Sequence, residues 1–375
     1  MRTFGLYVHV PFCGSICSYC HFARTAEHDA ARRDVYVAGV LREFELRRQA
    51  CPALGSARRP LATAYLGGGT PSQLEPDLLA RLLAGTVGRC ERTADLELTA
   101  EANPETFTPG LAQAWLAAGI NRVSLGVQSL DAGVLRRLGR ACDPTTARRA
   151  LALACASFTR VSADWILGPG VRLDALLAEL DEAVALGVGH VSLYILEVHA
   201  GTQLAARVAD GSVTLPSDEH VRGAYLAAAR RLADRGLVQY EVANFARPGA
   251  ESRHNRGYWR RQPWLGLGPG AHGAWGRWRR ANHDDLSAWL ADLDAGRLPE
   301  GAVEELRPAS RRLERVVLAL RTREGVPLSW LPSGALDLDR GEQEGLWRRE
   351  AGCLRLTGDG FLQLDTIEEA LARRL

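Results

Sequence analysis

Tyr7-Val8-His9-Val10-Pro11-Phe12-Cys13-Gly14-Ser15-Ile16-Cys17-Ser18-Tyr19-Cys20 places three cysteines at C-x3-C-x2-C spacing directly after an apolar, strand-like run. Thiolate is the preferred ligand of iron–sulfur clusters, and three thiolates can hold three corners of a cubic [4Fe-4S] cluster. The fourth iron then lacks a protein ligand nearby and is free to bind something else. A closed structural zinc site wants four ligands, which a three-cysteine set does not supply. The residues alone leave open three packed core thiols, although a loop between strand and helix is an odd place for them.

Outward from this stretch, short apolar runs alternate with helical periodicity. Strands are predicted at 4–10, 62–66, 96–100, 122–127, 161–167 and 190–196. Apolar residues at i, i+3, i+4 mark helix faces between them, first at Tyr36/Val37, Val40/Leu41 and Phe44, then at Leu78/Leu79, Leu82/Leu83 and Val87. Further helical patterns fall at 111–118, 145–156 and 173–186. Compact β-branched runs are the mark of buried parallel strands, so six successive βα units predict an α/β fold built as a partial parallel barrel. Barrel chemistry sits at the C-terminal ends of the strands. The polar motifs fall there.

After the second strand comes Gly67-Gly68-Gly69-Thr70-Pro71, where backbone can approach a ligand closely or simply turn tightly. It is not a phosphate loop, because no Gly-Lys-Ser/Thr follows. The third strand ends Glu101-Ala102-Asn103-Pro104-Glu105. Glu97, Thr99 and Glu101 share a face by alternation, so Glu101 can point into the barrel mouth and accept hydrogen bonds from ribose hydroxyls; a solvated strand end is the alternative.

From residue 216 the pattern changes. Ser217 is a plausible N-cap for a helix to about Gly236, followed by a strand at 238–242 and a Gly/Trp/Arg-rich stretch to Trp278. The tail after about Pro308 reads as a helix and then a hairpin, with 354–357 and 361–364 paired around Gly358-Asp359-Gly360. This divides the chain into 1–215, 216–305 and 306–375, the last a winged-helix-like module expected to pack or dock a partner.

Charge is nearly balanced, 46 basic against 44 acidic residues, which gives no electrostatic case for nucleic acid. No apolar run reaches the ~18 residues a membrane helix needs, and Met1-Arg2 runs straight into a β-like segment without a signal peptide. Eight Cys, three of them clustered, suit a reducing cytoplasm better than a disulfide framework.

The cysteine spacing after a first strand resembles the signature of radical S-adenosylmethionine (SAM) enzymes. There the open iron is chelated by SAM, which an electron from the cluster cleaves to a 5′-deoxyadenosyl radical. The resemblance implies a TIM-like (β/α)6 partial barrel, with Cys13, Cys17 and Cys20 holding the cluster. It further implies that Tyr7, Tyr19, Gly68, Gly69, Thr70, Glu101, Gln128, Arg140 and Asp164 hold SAM, with Gln128, Arg140 and Asp164 on a second SAM in relatives that carry one. Two departures put that second SAM in doubt. Cys142 stands where the family usually has His, and Leu167-Gly168-Pro169-Gly170 is one residue shorter than the usual loop.

The string YVHVPFC and CHF resembles the oxygen-independent coproporphyrinogen III oxidase-like family, and within it the haem chaperone (HemW) branch. The oxidases carry a fourth Cys where this chain has Phe22, and a longer segment ahead of the cluster. Arg253-His254-Asn255-Arg256-Gly257-Tyr258-Trp259 matches the chaperones' HNxxYW motif. His is a common haem ligand, aromatic rings wall a macrocycle, and Arg253, Arg256 or Arg260 can pair with propionates. The residues alone favour a His254 that merely hydrogen-bonds structurally while Tyr258 and Trp259 pack; the resemblance implies His254 as the haem ligand instead, with His272 as its rival. The resemblance implies a cytoplasmic chaperone that binds haem or another porphyrin and delivers it to respiratory haem proteins. A homodimer, and membrane contact through a partner, are compatible with it. The alternative is a radical SAM enzyme, either a coproporphyrinogen III dehydrogenase or a related methyltransferase.

Overall fold

Six parallel strands run side by side in sequence order, as the alternating runs predict. The computed structural model describes residues 3–26, 29–331 and 333–374; the opening Met1-Arg2 lies outside them. In chain order the barrel elements are β1 (Phe4–Val10), α1 (Ala30–Ala50), β2 (Leu61–Gly68), α2 (Pro76–Gly85), β3 (Arg92–Ala102), α3 (Pro109–Ala117), β4 (Arg122–Gln128), α4 (Ala132–Leu138), α5 (Pro144–Ser157), β5 (Val161–Leu167), α6 (Leu173–Leu186) and β6 (His190–Ile195). Each strand pairs in parallel with the next. β1 shows why: every residue of FGLYVHV except the half-buried Tyr7 is buried, so the strand needs cover on both faces.

The next section holds α7 (Gln203–Ala209), α8 (Asp218–Asp234), β7 (Val238–Gln239), β8 (Asn244–Ala246), α9 (Arg253–Trp259), β9 (Trp264–Leu267), β10 (His272–Trp275), β11 (Trp278–Asn282), α10 (Leu286–Asp294) and β12 (Glu300–Glu305). Ser217 caps α8 by accepting from the His220 amide, as expected. The predicted strand at 238–242 is corrected: it stops at Gln239, turns, and returns antiparallel as β8. Tyr240 forces the turn, because its hydroxyl reaches inward to His190 (2.8 Å) and to the Ser252 amide (3.2 Å).

These strands extend the barrel sheet at both ends. The order is β12-β11-β10-β9-β1-β2-β3-β4-β5-β6-β8-β7, twelve strands among the described residues, with two free ends and no closure. β9 lies parallel to β1 on the side away from β2, so the strand that carries the cysteine loop is flanked by chain from about 260 residues later.

The tail comprises α11 (Pro308–Leu320), β13 (Val326–Pro327), α12 (Leu338–Gln343), β14 (Trp347–Glu350), β15 (Cys353–Leu356), α13 (Gly358–Leu362) and α14 (Leu364–Ala372). It has its own three-stranded sheet and its own apolar core, with Val316, Leu354 and Ile367 among its members. The expected hairpin around Gly358-Asp359-Gly360 is not formed. The hairpin is β14–β15, turning at Ala351 (φ 50°) and Gly352 (φ 74°), the two left-handed positions of a type I′ turn. Gly358 and Asp359 instead open α13, because the Thr357 side chain accepts from the Gly360 amide and caps a helix there.

Candidate functional site

The loop after β1 is pinned before it reaches any ligand. The Thr25 amide donates to Pro11 O (2.8 Å) and the Cys13 amide to Thr25 O (2.9 Å). Ser18 docks on the C-terminal end of α4, with its amide and hydroxyl both on Leu138 O (3.2 and 2.9 Å). The loop therefore presents Cys13, Cys17 and Cys20 along one wall of a cavity of about 470 Å³ at the C-terminal ends of the barrel strands.

The opposite walls carry most of the predicted SAM residues: Gly68, Gly69, Thr70, Glu101, Gln128, Arg140 and Asp164, with Tyr19 on the loop side. The glycine run serves the fold as much as any ligand. Gly68 has φ +104°, and a Cβ there would strike the His9 ring; a Cβ on Gly69 would lie 2.7 Å from Val10 O. Thr70 Oγ1 donates towards Cys13 Sγ (3.7 Å). Arg140 donates to Cys17 Sγ (3.4 Å), Asn103 Oδ1 (2.9 Å) and Gly126 O (2.8 Å). Asn103 in turn donates to Thr70 (3.2 Å), so one polar chain links the cysteine wall to the ends of β2, β3 and β4. Asn103 was not singled out by sequence, although it lies in the same motif as Glu101.

Tyr7 is the exception. It stacks on Tyr65 (centroids 6.3 Å apart) and faces a neighbouring cleft rather than the cysteine cavity. Tyr65, which sequence reasoning missed, donates to Glu101 (2.6 Å) and holds that carboxylate in the mouth. Its signal was there: Thr63, Tyr65 and Gly67 alternate along β2 just as Glu97, Thr99 and Glu101 do along β3. Cys142 is buried, with Sγ donating to Asp143 O (3.2 Å), and burial pushes its thiol up to about 11; it takes no part in the cavity.

Burial in the barrel mouth pushes the Glu101 carboxyl up to about 7, opposed by the Tyr65 hydrogen bond and reinforced by the nearby Asp164 charge. Burial likewise pushes Asp164 up to about 6, against hydrogen bonds from Ser192 and Ser124. Both groups therefore keep protons on folding that the unfolded chain gives up between about pH 4 and 5. Stability from this source is complete below that range and is lost as the pH rises through 6 and 7. The melting temperature of ligand-free protein should fall between about pH 5 and about pH 8, and Glu101→Gln, which keeps the acceptor and cannot ionise, should flatten that fall. A flat wild-type profile would refute it.

Does the cavity fit a cluster and SAM? Among the described residues no three His, Cys, Asp or Glu side chains converge on one ion-sized point. Three free cysteines on one loop supply three thiolates, one short of a closed structural zinc site and enough for three corners of a cubic cluster. Burial raises the Cys13 and Cys20 thiols, so loading the site must release protons. Gln128 supplies a second sign. It is a non-glycine residue at φ 69°, and its Oε1 is buried with no hydrogen-bond partner while the residue lines the cavity. Strain combined with an unsatisfied buried acceptor marks a ligand contact. The residues fit both groups.

A second cleft, of about 580 Å³, meets the cysteine cavity at His21 and Phe22, which line both. Tyr258, Trp259, Trp264 and Leu318 form its apolar wall. It adjoins a third cleft of about 690 Å³, the two sharing Trp259, Trp264, Glu314 and Leu318. The HNxxYW segment forms α9, whose first amides are held by the buried Glu97: it accepts from Arg253 N (3.2 Å) and His254 N (3.0 Å). Tyr258 and Trp259 thereby reach the clefts. His254 does not. It is 2% exposed and stacks on Tyr65, with Thr63 Oγ1 2.8 Å from Nδ1 and the Tyr258 hydroxyl 2.7 Å from Nε2. A neutral imidazole has one donor and one acceptor, and both are spent. In this setting His254 presents no free ring nitrogen to either cleft. Arg253 is likewise committed elsewhere, to Asp95.

The radical SAM superfamily model matches residues 7–200. The chain is 39% identical to the haem chaperone HemW of Mycobacterium tuberculosis, over 99% of this chain and 95% of that protein. It is 36% identical to the mitochondrial radical S-adenosyl methionine domain-containing protein 1 of Bos taurus, over 87% of this chain and 70% of that one. Among solved structures, coproporphyrinogen III oxidase (HemN) from Escherichia coli, a radical SAM enzyme, superposes with a TM-score of 0.83 at 22% identity, covering 100% of this chain and 91% of that one. At that identity the superposition speaks for the fold, while the full-length sequence match speaks for the branch. On the full-length match and the family model, the chain belongs to the radical SAM superfamily, in the family of HemW.

Proposed function

We propose that this chain is a cytoplasmic haem chaperone that carries a [4Fe-4S] cluster and SAM and hands haem to haem-requiring respiratory proteins. The observation that carries this reading is the pair of cavities meeting at His21 and Phe22: one is lined by thiols, the other walled by aromatic rings and bordered by arginines. A substrate of the cluster would occupy the first, whereas a flat apolar cargo fits the second. The family implies the cluster and SAM; the haem is drawn from the name of the relatives.

Cys13, Cys17 and Cys20 would hold the cluster, and Arg140 and Thr70 would donate to two of its thiolates. Glu101, held by Tyr65, and Asp164 accept hydroxyl or ammonium donors. Gln128 offers its free acceptor, and Gly68, Gly69 and Tyr19 shape the wall. The cluster, when bound, supplies an electron. The tail, 306–375, with its separate core, suits docking of an acceptor protein. Among the described residues no helix is long and apolar enough to cross a membrane.

Anaerobic reconstitution followed by haem titration, monitored by absorbance, tests the reading. One haem per chain with a shifted Soret band, and no decarboxylation of coproporphyrinogen III, is the expected result. SAM cleavage stimulated by a porphyrinogen, without haem binding, would make the protein an enzyme instead.

A further inference from the structure

Four histidines stand in or behind the aromatic cleft, and two have both ring nitrogens engaged. His254 has both nitrogens bonded inside the core. His9 is buried, with Nε2 2.7 Å from Ala23 O and Nδ1 3.1 Å from the Tyr7 hydroxyl. His21 is exposed, its ring tilted against His199 (centroids 3.6 Å apart) with Phe22 beside it, and it sits on the cysteine loop next to Cys20. His272 differs. It opens β10, is exposed, and lines the cleft with Tyr258 and Trp264, while its ring makes no hydrogen bond to any described residue. Its backbone is fixed, because its carbonyl accepts from the Trp264 indole (3.0 Å) and the strand is registered against Ala281. An imidazole with a free nitrogen on a fixed strand, facing a wall of aromatic rings, is suited to an iron ligand.

The adjoining cleft supplies the charge. Arg256 and Arg260 share Glu324 (both 3.1 Å), and Arg261 and Arg279 share Glu314 (both 2.6 Å). Arg311 and Arg315 line the same cleft, so six guanidinium groups face two carboxylates and the wall carries a surplus of positive charge. A surplus of guanidinium charge suits a ligand that carries carboxylates. An apolar macrocycle bearing a metal and two carboxylates satisfies the histidine, the rings and the arginines together. Simple anions satisfy only the last.

Resting on the haem reading above, we propose that His272 is the iron ligand. The macrocycle lies against Tyr258 and Trp264, and Arg256, Arg260, Arg261 and Arg279 meet its two carboxylates. His254 acts through the Tyr258 hydroxyl as a positioning residue that sets one wall of the cleft.

The test titrates hemin into reconstituted wild type, His272→Ala, His254→Gln and His21→Ala, with cluster absorbance and the melting curve confirming that each variant is folded. His272→Ala should weaken hemin binding at least about tenfold. It should also shift the Soret band, and added imidazole should restore the band. His254→Gln should weaken binding less and leave the band position unchanged. Hemin dimethyl ester, which lacks the two carboxylates, should bind wild type at least about tenfold more weakly than hemin. If wild type binds hemin and His272→Ala keeps its affinity and spectrum, or the spectral change appears in His254→Gln or His21→Ala instead, the assignment to His272 is overturned while the haem reading stands. If wild type binds no hemin, both fall.

Discussion

Cys17→Ala protein reconstituted without oxygen should lose cluster affinity by more than about 100-fold, since loss of a mere supporting partner around a metal already costs roughly 10- to 100-fold. Two thiolates would remain for four irons, and among the described residues no further cysteine lines the cavity. Phe22 occupies the nearby position where the oxidases bring another Cys. Cys142 is buried and turned to Asp143 O. The change would also strip Arg140 of its sulfur partner and leave its buried guanidinium to Asn103, Gly126 and the more distant Glu105 (4.0 Å). Iron and sulfide content per chain, together with the visible absorbance of the cluster, report the result. Cys142→Ala is the control and should keep its iron. Equal loss in both variants would mean that cluster loss follows general destabilisation rather than ligand removal.

Glu43→Ala should lower folding stability by about 3–5 kcal/mol, the range for breaking a buried charged network by removing one partner. Glu43 lies on α1 with no exposed surface, and burial pushes its carboxyl up. It accepts from Arg47 (3.3 Å) and Asn282 (2.8 Å) through one oxygen, and from the Gly268 amide (2.9 Å) and the Trp289 indole (3.0 Å) through the other. Arg47 keeps Glu300 as a partner (2.6 Å), so its charge is not orphaned, but three buried donors are left without their acceptor. Urea unfolding should show a lower midpoint at unchanged slope. Because Gly268 and Asn282 bracket the β10–β11 hairpin, the variant should also weaken hemin binding more than Glu43→Gln does.

Some of this was legible in the chain because burial writes a simple code. The predicted limits of β1 and β5 agree with the structure to the residue, since both are compact, mostly apolar runs ended by turn residues, Pro11 after β1 and Gly168-Pro169 after β5. The cysteine loop, the glycine run and Glu101 were readable from local spacing, and they do share one cavity. What failed depended on partners far away. Trp347-Arg348-Arg349-Glu350 carries no apolar alternation, so β14 was invisible, while Gly358-Asp359-Gly360 imitates a turn although Thr357 turns it into a helix start. His254 and Tyr7 look like ligands in their motifs. Only their three-dimensional neighbours, Thr63, Tyr258 and Tyr65, show that their polar atoms and ring faces are already occupied.

The place of β9 beside β1 has a consequence for biosynthesis. On the ribosome, β1 and the cysteine loop emerge before the rest of the barrel, and β2 can pair with one edge within about sixty residues. The other edge stays open, a row of unpaired amides and carbonyls, until Trp264–Leu267 has been made. Such non-local pairings form slowly, and an open apolar edge invites association with other chains in the interval. Nascent chains halted before residue 264 should therefore aggregate or recruit chaperones, and stable iron loading should begin only after the extension closes over β1.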